Sequence, residues 1–376
     1  MLDSRSASSI AEIDLRALGE NLRRVRERVG RRDVLAVVKA NAYGHGAVPI
    51  AHYLKNNKIM PALLGVAFLD EGIALRESGI ADPILLMTGA PLAQIDAIVQ
   101  YCLSPVIFDT ETLFALNRAA EAAGRTLPIH VKIDTGMGRL GLPPSEALSF
   151  IKTAADLPGL AVEGVLSHFA YSDLQDKAFV AQQMARFQTV LGDLEHKGIK
   201  THYRHMANSA AVIDYKPAYL NLVRPGLMLY GYSPAENTPP LPLKPVMQLK
   251  ARVIAVKKVP ASTSISYGRT YVTQRESRIA TIAIGYADGY PCILSNRGMM
   301  IAKETLVPVV GKVCMDMTML DVTQVPSLRT GDWVTAIGTE GDRAVWADRV
   351  AQWAETHPYE ILCGIGPRVH RRYIGS

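Results

Sequence analysis

Short apolar runs recur along the first two thirds of the chain, separated by segments whose apolar positions repeat every three to four residues. The runs are DVLAVV (33–38), ALLGVAF (62–68), PILLMT (83–88), LSPVIF (103–108), PIHVKI (128–133), VEGVLS (162–167), THYRHM (201–206) and NLVRPGLMLY (221–230). Most are continuously apolar, the mark of parallel strands covered on both faces. The intervening segments read as helices. In TETLFALNRAAEAAG, Thr110 is the expected N-cap and Gly124 the stop. Eight strand–helix units between residues 33 and 230 predict a (β/α)8 TIM barrel, with a doubly wound open sheet as second choice.

After TPPLPLKP (238–245) the rhythm changes. LKARVIAVKKV, RIATIAIGYADGY, LVPVVGKVCMDMTMLDV and DWVTAIG are β-branched, with turn residues between them and little room for helices. The proline cluster reads as a connector between a barrel domain, 1–240, and a C-terminal, mostly β domain, 241–376. The first dozen residues are free to pack with the second domain.

Composition narrows the partners. With 376 residues, 48% of them hydrophobic, the chain can fill two cores. The 41 Lys and Arg exceed the 35 Asp and Glu by six, and much of that excess lies in NLRRVRERVGRRD. There Leu15, Leu18, Leu22, Val25 and Val29 repeat at helical spacing, so the arginines fall on the solvated face of a helix capped by Asp14. No aromatic residues interleave them, which argues against nucleic acid. Cys102, Cys292, Cys314 and Cys363 are far apart, as suits a reducing compartment. MLDSRSASSIAEIDL has no apolar signal-peptide core, and no apolar run approaches about 18 residues. A soluble cytoplasmic protein without membrane contact is expected.

The chemistry gathers at the barrel rim. Barrel enzymes carry their sites in the loops at the C-terminal ends of the strands. Lys39 follows the first strand, and later loops carry Arg139, His168, Ser209, Arg224 and Gly226. A partly desolvated lysine there has a lowered amine pKa and can form a Schiff base with a carbonyl, although a strand-end lysine can also simply snorkel. Ser209 at a helix start and the Gly226–Leu227 amides after a proline suit a phosphate. Together these features point to a phosphosugar aldolase or to pyridoxal phosphate (PLP). His202 and His205, three apart on a strand, point to opposite faces, so metal chemistry is disfavoured.

AVVKANAYGHG, VKIDTGMGRLG, SHFA, ANSAA, RPGLMLYG, ISYGRTY, GYADGYP, GKVCMDM and PYEILCGIGPRV, taken in order, resemble the bacterial alanine racemase family of PLP enzymes over nearly the whole chain. The resemblance implies a barrel, a C-terminal β domain and a homodimer with shared sites. It implies that Lys39 carries PLP and that Tyr43, Ser209, Gly226, Leu227 and Tyr359 hold its phosphate. His168 would lie against the ring and Arg224 face its nitrogen. Arg139 and the backbone of Met315 would take the substrate carboxylate. Tyr267, from the partner subunit, would be the second base. Lys132 corresponds to a lysine often carbamylated in the family, orienting Arg139. Asn208, Tyr286, Cys314 and Asp316 stand as supporting residues or line the approach to the site.

Racemisation must take the Cα proton from one face and return one to the other, so two opposed bases are required. By the resemblance, Lys39 acts on D-alanine and Tyr267 on L-alanine, supplying D-alanine for peptidoglycan. An arginine cannot give up its proton to the pyridine nitrogen. Arg224 there makes a weaker electron sink than a carboxylate would, which favours a racemase over a decarboxylase. The rivals are a racemase of serine or of broad specificity and a non-enzymatic PLP-binding protein. His45 in YGHG reads as a loop hydrogen-bonder.

Overall fold

The computed structural model of the protein describes residues 7–171, 177–234 and 241–375. Residues 238–240 of the expected connector lie outside the described residues. Two compact units result. One comprises Gly19–Ala42 with the described part of Ala47–Leu243, and the other Tyr43–Gly46 with the described parts of Met1–Leu18 and Lys244–Ser376.

Near the N-terminus, strand β1 (Ser9–Asp14) leads into a helix over Leu15–Val29. Asp14 caps that helix as expected, accepting from the Ala17 amide at 3.0 Å. Leu15, Leu18, Leu22, Val25 and Val29 are all buried.

The first unit is a closed parallel barrel in the order β2 (Asp33–Val37), β3 (Leu63–Val66), β4 (Ile84–Leu86), β5 (Ser104–Ile107), β6 (Leu127–Lys132), β7 (Leu160–Leu166), β8 (Tyr203–His205) and β9 (Leu222–Val223), with β9 pairing β2. The continuous apolar runs are explained by burial on both faces: every residue of β3, β4 and β5 is buried.

Two local expectations are corrected. The helix at Thr110–Ala122 is capped by Asp109, whose carboxylate accepts from the Thr112 amide, and Thr110 is its first turn. NLVRPGLMLY is not one long strand. β9 stops at Val223, before Pro225, and Leu227–Tyr230 form a 3-10 turn after Gly226, whose φ of −115° and ψ of −88° break the strand.

In the second unit β1, the long strand β10 (Met247–Val259) and seven further strands form a nine-stranded sheet. β1 pairs antiparallel with β10 and parallel with His370–Ile374. The unit is mostly β, but PYEILCG is helical over Pro358–Gly364, and a second helix spans Ala347–Trp353. Both correct the expectation of little helix there. Among the described residues, no helix is long and apolar enough to cross a membrane.

Candidate active site

Five of the barrel's candidate residues follow strand ends and so share one rim. Lys39 follows β2, Arg139 lies beyond β6, His168 beyond β7, Ser209 beyond β8, and Arg224 directly after β9. Beyond Lys39 the backbone enters an unusual conformation. Ala40, Asn41 and Ala42 all have φ near +52° to +55° and ψ near +50°, and Tyr43 has φ +53°. One left-handed turn of non-glycine residues costs about 1–2 kcal/mol per residue. It is pinned by the Ala42 amide donating to the Val38 carbonyl (2.7 Å) and by the Asn41 side chain accepting from the Ala47 amide (2.9 Å). Strain of this kind concentrates where function dictates the backbone.

Arg224 is tightly held. It is 3% exposed. Its NH2 donates to the Ser167 and Met206 carbonyls (2.8 and 3.1 Å) and to His168 Nδ1 (3.0 Å), and its NH1 donates to His205 Nδ1 (3.2 Å). Its Nε is buried with no hydrogen-bond partner among the described residues. Burial draws the guanidinium down to about 10, which leaves it charged at neutral pH.

Burial, and then Arg224, Lys132, Arg139 and Lys39, hold the His168 imidazole well below the usual histidine range. Lys132, 5% exposed, is drawn down to about 8 by burial and then by Arg224, Arg139 and Lys39, with Asp134 opposing. The DTGMG loop wraps around a carboxylate: Asp134 accepts from the Gly136, Met137 and Gly138 amides at 2.8–2.9 Å. Arg139, which follows, is exposed and makes no hydrogen bond or ion pair among the described residues.

Ser209 Oγ accepts from the Gly226 amide at 2.9 Å, joining two of the expected phosphate ligands, and Leu227 opens the 3-10 turn beside them. Asn208 caps the helix that begins at Ser209, accepting from the Ala211 amide. In the second unit, Tyr43 and Tyr359 bring their ring centroids to 5.8 Å. Burial, then Tyr359 and Cys363, push the Tyr43 phenol far up, so it is neutral and able to donate. His45 hydrogen-bonds the Tyr43 carbonyl through Nδ1 (2.9 Å), in the loop role expected of it.

The β unit gathers a second group. Tyr267 lies in a 3-10 turn, not in a strand, and is 73% exposed. The preceding Ser266 donates to the Lys312 carbonyl (2.6 Å) and contacts Cys314 Sγ (3.5 Å), which ties Tyr267 to the GKVCMDM loop. The Tyr286 and Ala287 amides donate to the Cys314 and Met315 carbonyls, both at 3.0 Å. Arg368 spans Asp288 (3.2 Å) and Asp316 (2.8 Å). Tyr267, Tyr286, Cys314, Met315 and Asp316 therefore belong to one connected cluster.

Sequence reasoning passed over Gly285, Asp288 and Arg368, which order that cluster. It also passed over Gln183, whose side chain accepts from the Ala170 amide and donates to the His168 carbonyl. Gly285 and Asp288 lie within GYADGYP and Arg368 within PYEILCGIGPRV, but the loop they order is distant from Arg368 in the chain; Gln183 lies outside these motifs.

Comparison with known proteins is uniform. Residues 13–234 match the family described as alanine racemase, N-terminal domain, and residues 246–373 its C-terminal domain. The chain is 43% identical over 365 residues to the alanine racemase of Halothermothrix orenii, covering 96% of each. It is 42% identical over 366 residues to that of Desulfovibrio desulfuricans, covering 97% of each. Among solved structures it is similar to alanine racemase of Clostridium difficile 630, with TM-score 0.94, 34% identity, and 98% and 96% of the two chains covered. The Bartonella henselae enzyme, solved with covalently bound pyridoxal phosphate, is similar at TM-score 0.87 and 32% identity, with 98% of this chain and 100% of that one covered. With both family domains matched in order and whole-length relatives at this identity, the chain belongs to the alanine racemase family.

Proposed function

We infer that the protein is a PLP-dependent alanine racemase that interconverts L- and D-alanine through two opposed bases. The observation that carries this reading is Arg224: an arginine held by four acceptors through NH1 and NH2, whose buried Nε–H has no hydrogen-bond partner among the described residues. That Nε–H suits a pyridine nitrogen, and Ser209, whose Oγ accepts from the Gly226 amide and keeps its own O–H to donate, suits a phosphate, so the residues present fit the cofactor. When bound, PLP supplies an electron-accepting ring that acidifies the α-proton of an amino acid. Arg224 can only donate to the ring nitrogen and keeps that nitrogen unprotonated, which limits the sink and suppresses side reactions.

Lys39 tethers the cofactor and moves a proton at its Nζ on one face of the substrate. Tyr267 of the partner subunit moves one at its phenol oxygen on the other. Arg139 and the Met315 amide bind the carboxylate. Tyr43 and Tyr359 donate phenols to the phosphate, and the neutral state of Tyr43 supports that role. Lys132, drawn to about 8, has enough free amine near neutrality to take up CO2 as a carbamate that orients Arg139. The division of labour between a barrel domain and a β domain from about 241 belongs to the same proposal, as do a cytoplasmic location and supply of D-alanine for peptidoglycan.

The test is incubation with L-alanine in D2O. D-alanine carrying deuterium at Cα is expected. No D-alanine and no deuterium uptake from protein that is yellow with PLP would overturn the reading in favour of another amino acid or a carrier.

A further inference from the structure

Behind Arg224, three side chains form one hydrogen-bonded row inside the barrel. Arg224 NH1 lies 3.2 Å from His205 Nδ1, His205 Nε2 lies 2.8 Å from His130 Nδ1, and His130 Nε2 lies 3.2 Å from Glu163 Oε2. Both imidazoles are fully buried. A guanidinium only donates, so His205 Nδ1 accepts and its proton sits on Nε2. That proton faces His130 Nδ1, which must accept, so the proton of His130 also sits on Nε2. It points at the Glu163 carboxylate, which only accepts when ionised. With two neutral histidines, this is the order that sets one donor against one acceptor at every junction. The row therefore has a direction, from the guanidinium to a carboxylate.

The backbone is shaped for this ending. β6 and β7 pair Ile129 with Val162 and then His130 with Gly164, so Glu163 is the unpaired residue of a bulge. Bulges re-aim side chains and often stand near active sites. A Cβ on Gly164 would come within 2.3 Å of His130 Nδ1, so the ring lies where only glycine permits it. Tyr203 stacks on the same ring, 6.0 Å between centroids at 23°. Among the described residues no carboxylate pairs directly with Arg224, whereas Glu163 is tied to it through two imidazoles and is itself 30% exposed.

We propose that Glu163 is a positioning residue for Arg224: by accepting from His130 it closes the row that the guanidinium begins, so that the two ends together hold both imidazoles as Nε2–H tautomers and commit NH1, leaving Nε to face the cofactor's ring nitrogen. The proposal rests on the assignment of Arg224 to that nitrogen. The row itself can be read without any turnover.

Holoenzyme labelled with 13C,15N-histidine is expected to show the Nε2–H tautomer at both His130 and His205 by NMR. An Nδ1–H tautomer at either would overturn the proposal. Glu163→Leu removes the acceptor and is expected to lose the single tautomer at His130, to shift the absorption band of bound PLP, and to lower kcat more than it changes KM. Glu163→Gln, whose carbonyl can accept the same bond, is expected to restore tautomer and band. A folded Leu variant with wild-type tautomers and wild-type absorption would reduce Glu163 to a stability residue and also overturn the proposal. Should the Leu variant not fold, the wild-type tautomers and the Gln variant decide. Correct tautomers in a protein that leaves alanine untouched would sink the racemase reading and spare this one.

Discussion

Arg224 NH1 and His205 Nδ1 meet at 3.2 Å in the barrel, with His205 fully buried. An imidazole in that position cannot take a second proton without presenting N–H to N–H. Burial, then Arg224 and His130, accordingly hold His205 well below the usual histidine range, and burial also holds His130 down despite the opposing pull of Glu163.

Acid lability follows. In the unfolded chain both histidines bind protons as the pH falls through about 6.5, whereas the folded protein resists. Because the folded values are depressed, stability is intact above that point and is lost as pH falls towards the folded values. Two protons correspond to a slope of up to about 3 kcal/mol per pH unit within that window. Thermal unfolding between pH 7.5 and 5 should show Tm falling on the acid side, and His205→Asn should flatten the fall. An unchanged Tm across the range would contradict neutral burial of these rings.

A second expectation concerns Lys132, drawn to about 8. At pH 8 roughly half of its amine is unprotonated, against less than about 1% for an ordinary lysine. Protein equilibrated with 13C-bicarbonate should therefore show a carbamate carbon resonance that is absent from Lys132→Ala. The same variant should bind alanine more weakly, through a less ordered Arg139, with KM rising more than kcat falls. A carbamate signal that persists in the variant would place the modification elsewhere.

The legibility of the molecule was uneven for physical reasons. The barrel announced itself because parallel strands covered on both faces leave unbroken apolar runs, as in DVLAVV, and Lys39 and Arg224 stand at the ends of such runs. Where the backbone deviates, the pattern misled. NLVRPGLMLY looks continuous, yet a proline and the conformation of Gly226 end the strand at Val223. Asp109 and Thr110 are both good caps, and only the geometry chooses Asp109. His130 hides inside PIHVKI, and its chemistry comes from Glu163 and His205, 33 and 75 residues away. A bulge such as the one at Glu163 leaves no periodic trace.

Gly285 offers a purely steric test. Its φ of −149° would suit any residue, but a Cβ there would come within 2.2 Å of the Cys314 carbonyl and 2.4 Å of the Met315 carbonyl. Gly285→Ala must therefore push the loop carrying Met315 away from Tyr286. Overpacking of this kind costs about 1–3 kcal/mol. The variant is expected to keep PLP, to unfold at lower temperature, and to racemise slowly with raised KM. Wild-type kinetics would mean that the Met315 loop has no part in the site.

Tyr267 leads to the most decisive experiment. Its side chain is 73% exposed in a single chain, although it sits on a tightly specified turn in which Ser266, Gly268 and Arg269 all have positive φ. A rigid turn displaying a bare tyrosine is an expensive arrangement unless a second subunit receives it. If Lys39 and Tyr267 of one site come from different subunits, Lys39→Ala and Tyr267→Phe homodimers should each be nearly inactive. Mixing them through unfolding and refolding gives hybrid dimers in which one site has lost both bases and the other has kept both. Random pairing then restores about a quarter of wild-type activity, since half the dimers are hybrids with one good site of two. Recovery near that fraction, with a dimer in sedimentation, establishes the shared site. No recovery from a mixture shown to contain hybrid dimers would mean that Lys39 and Tyr267 act within one chain or that Tyr267 is not the second base.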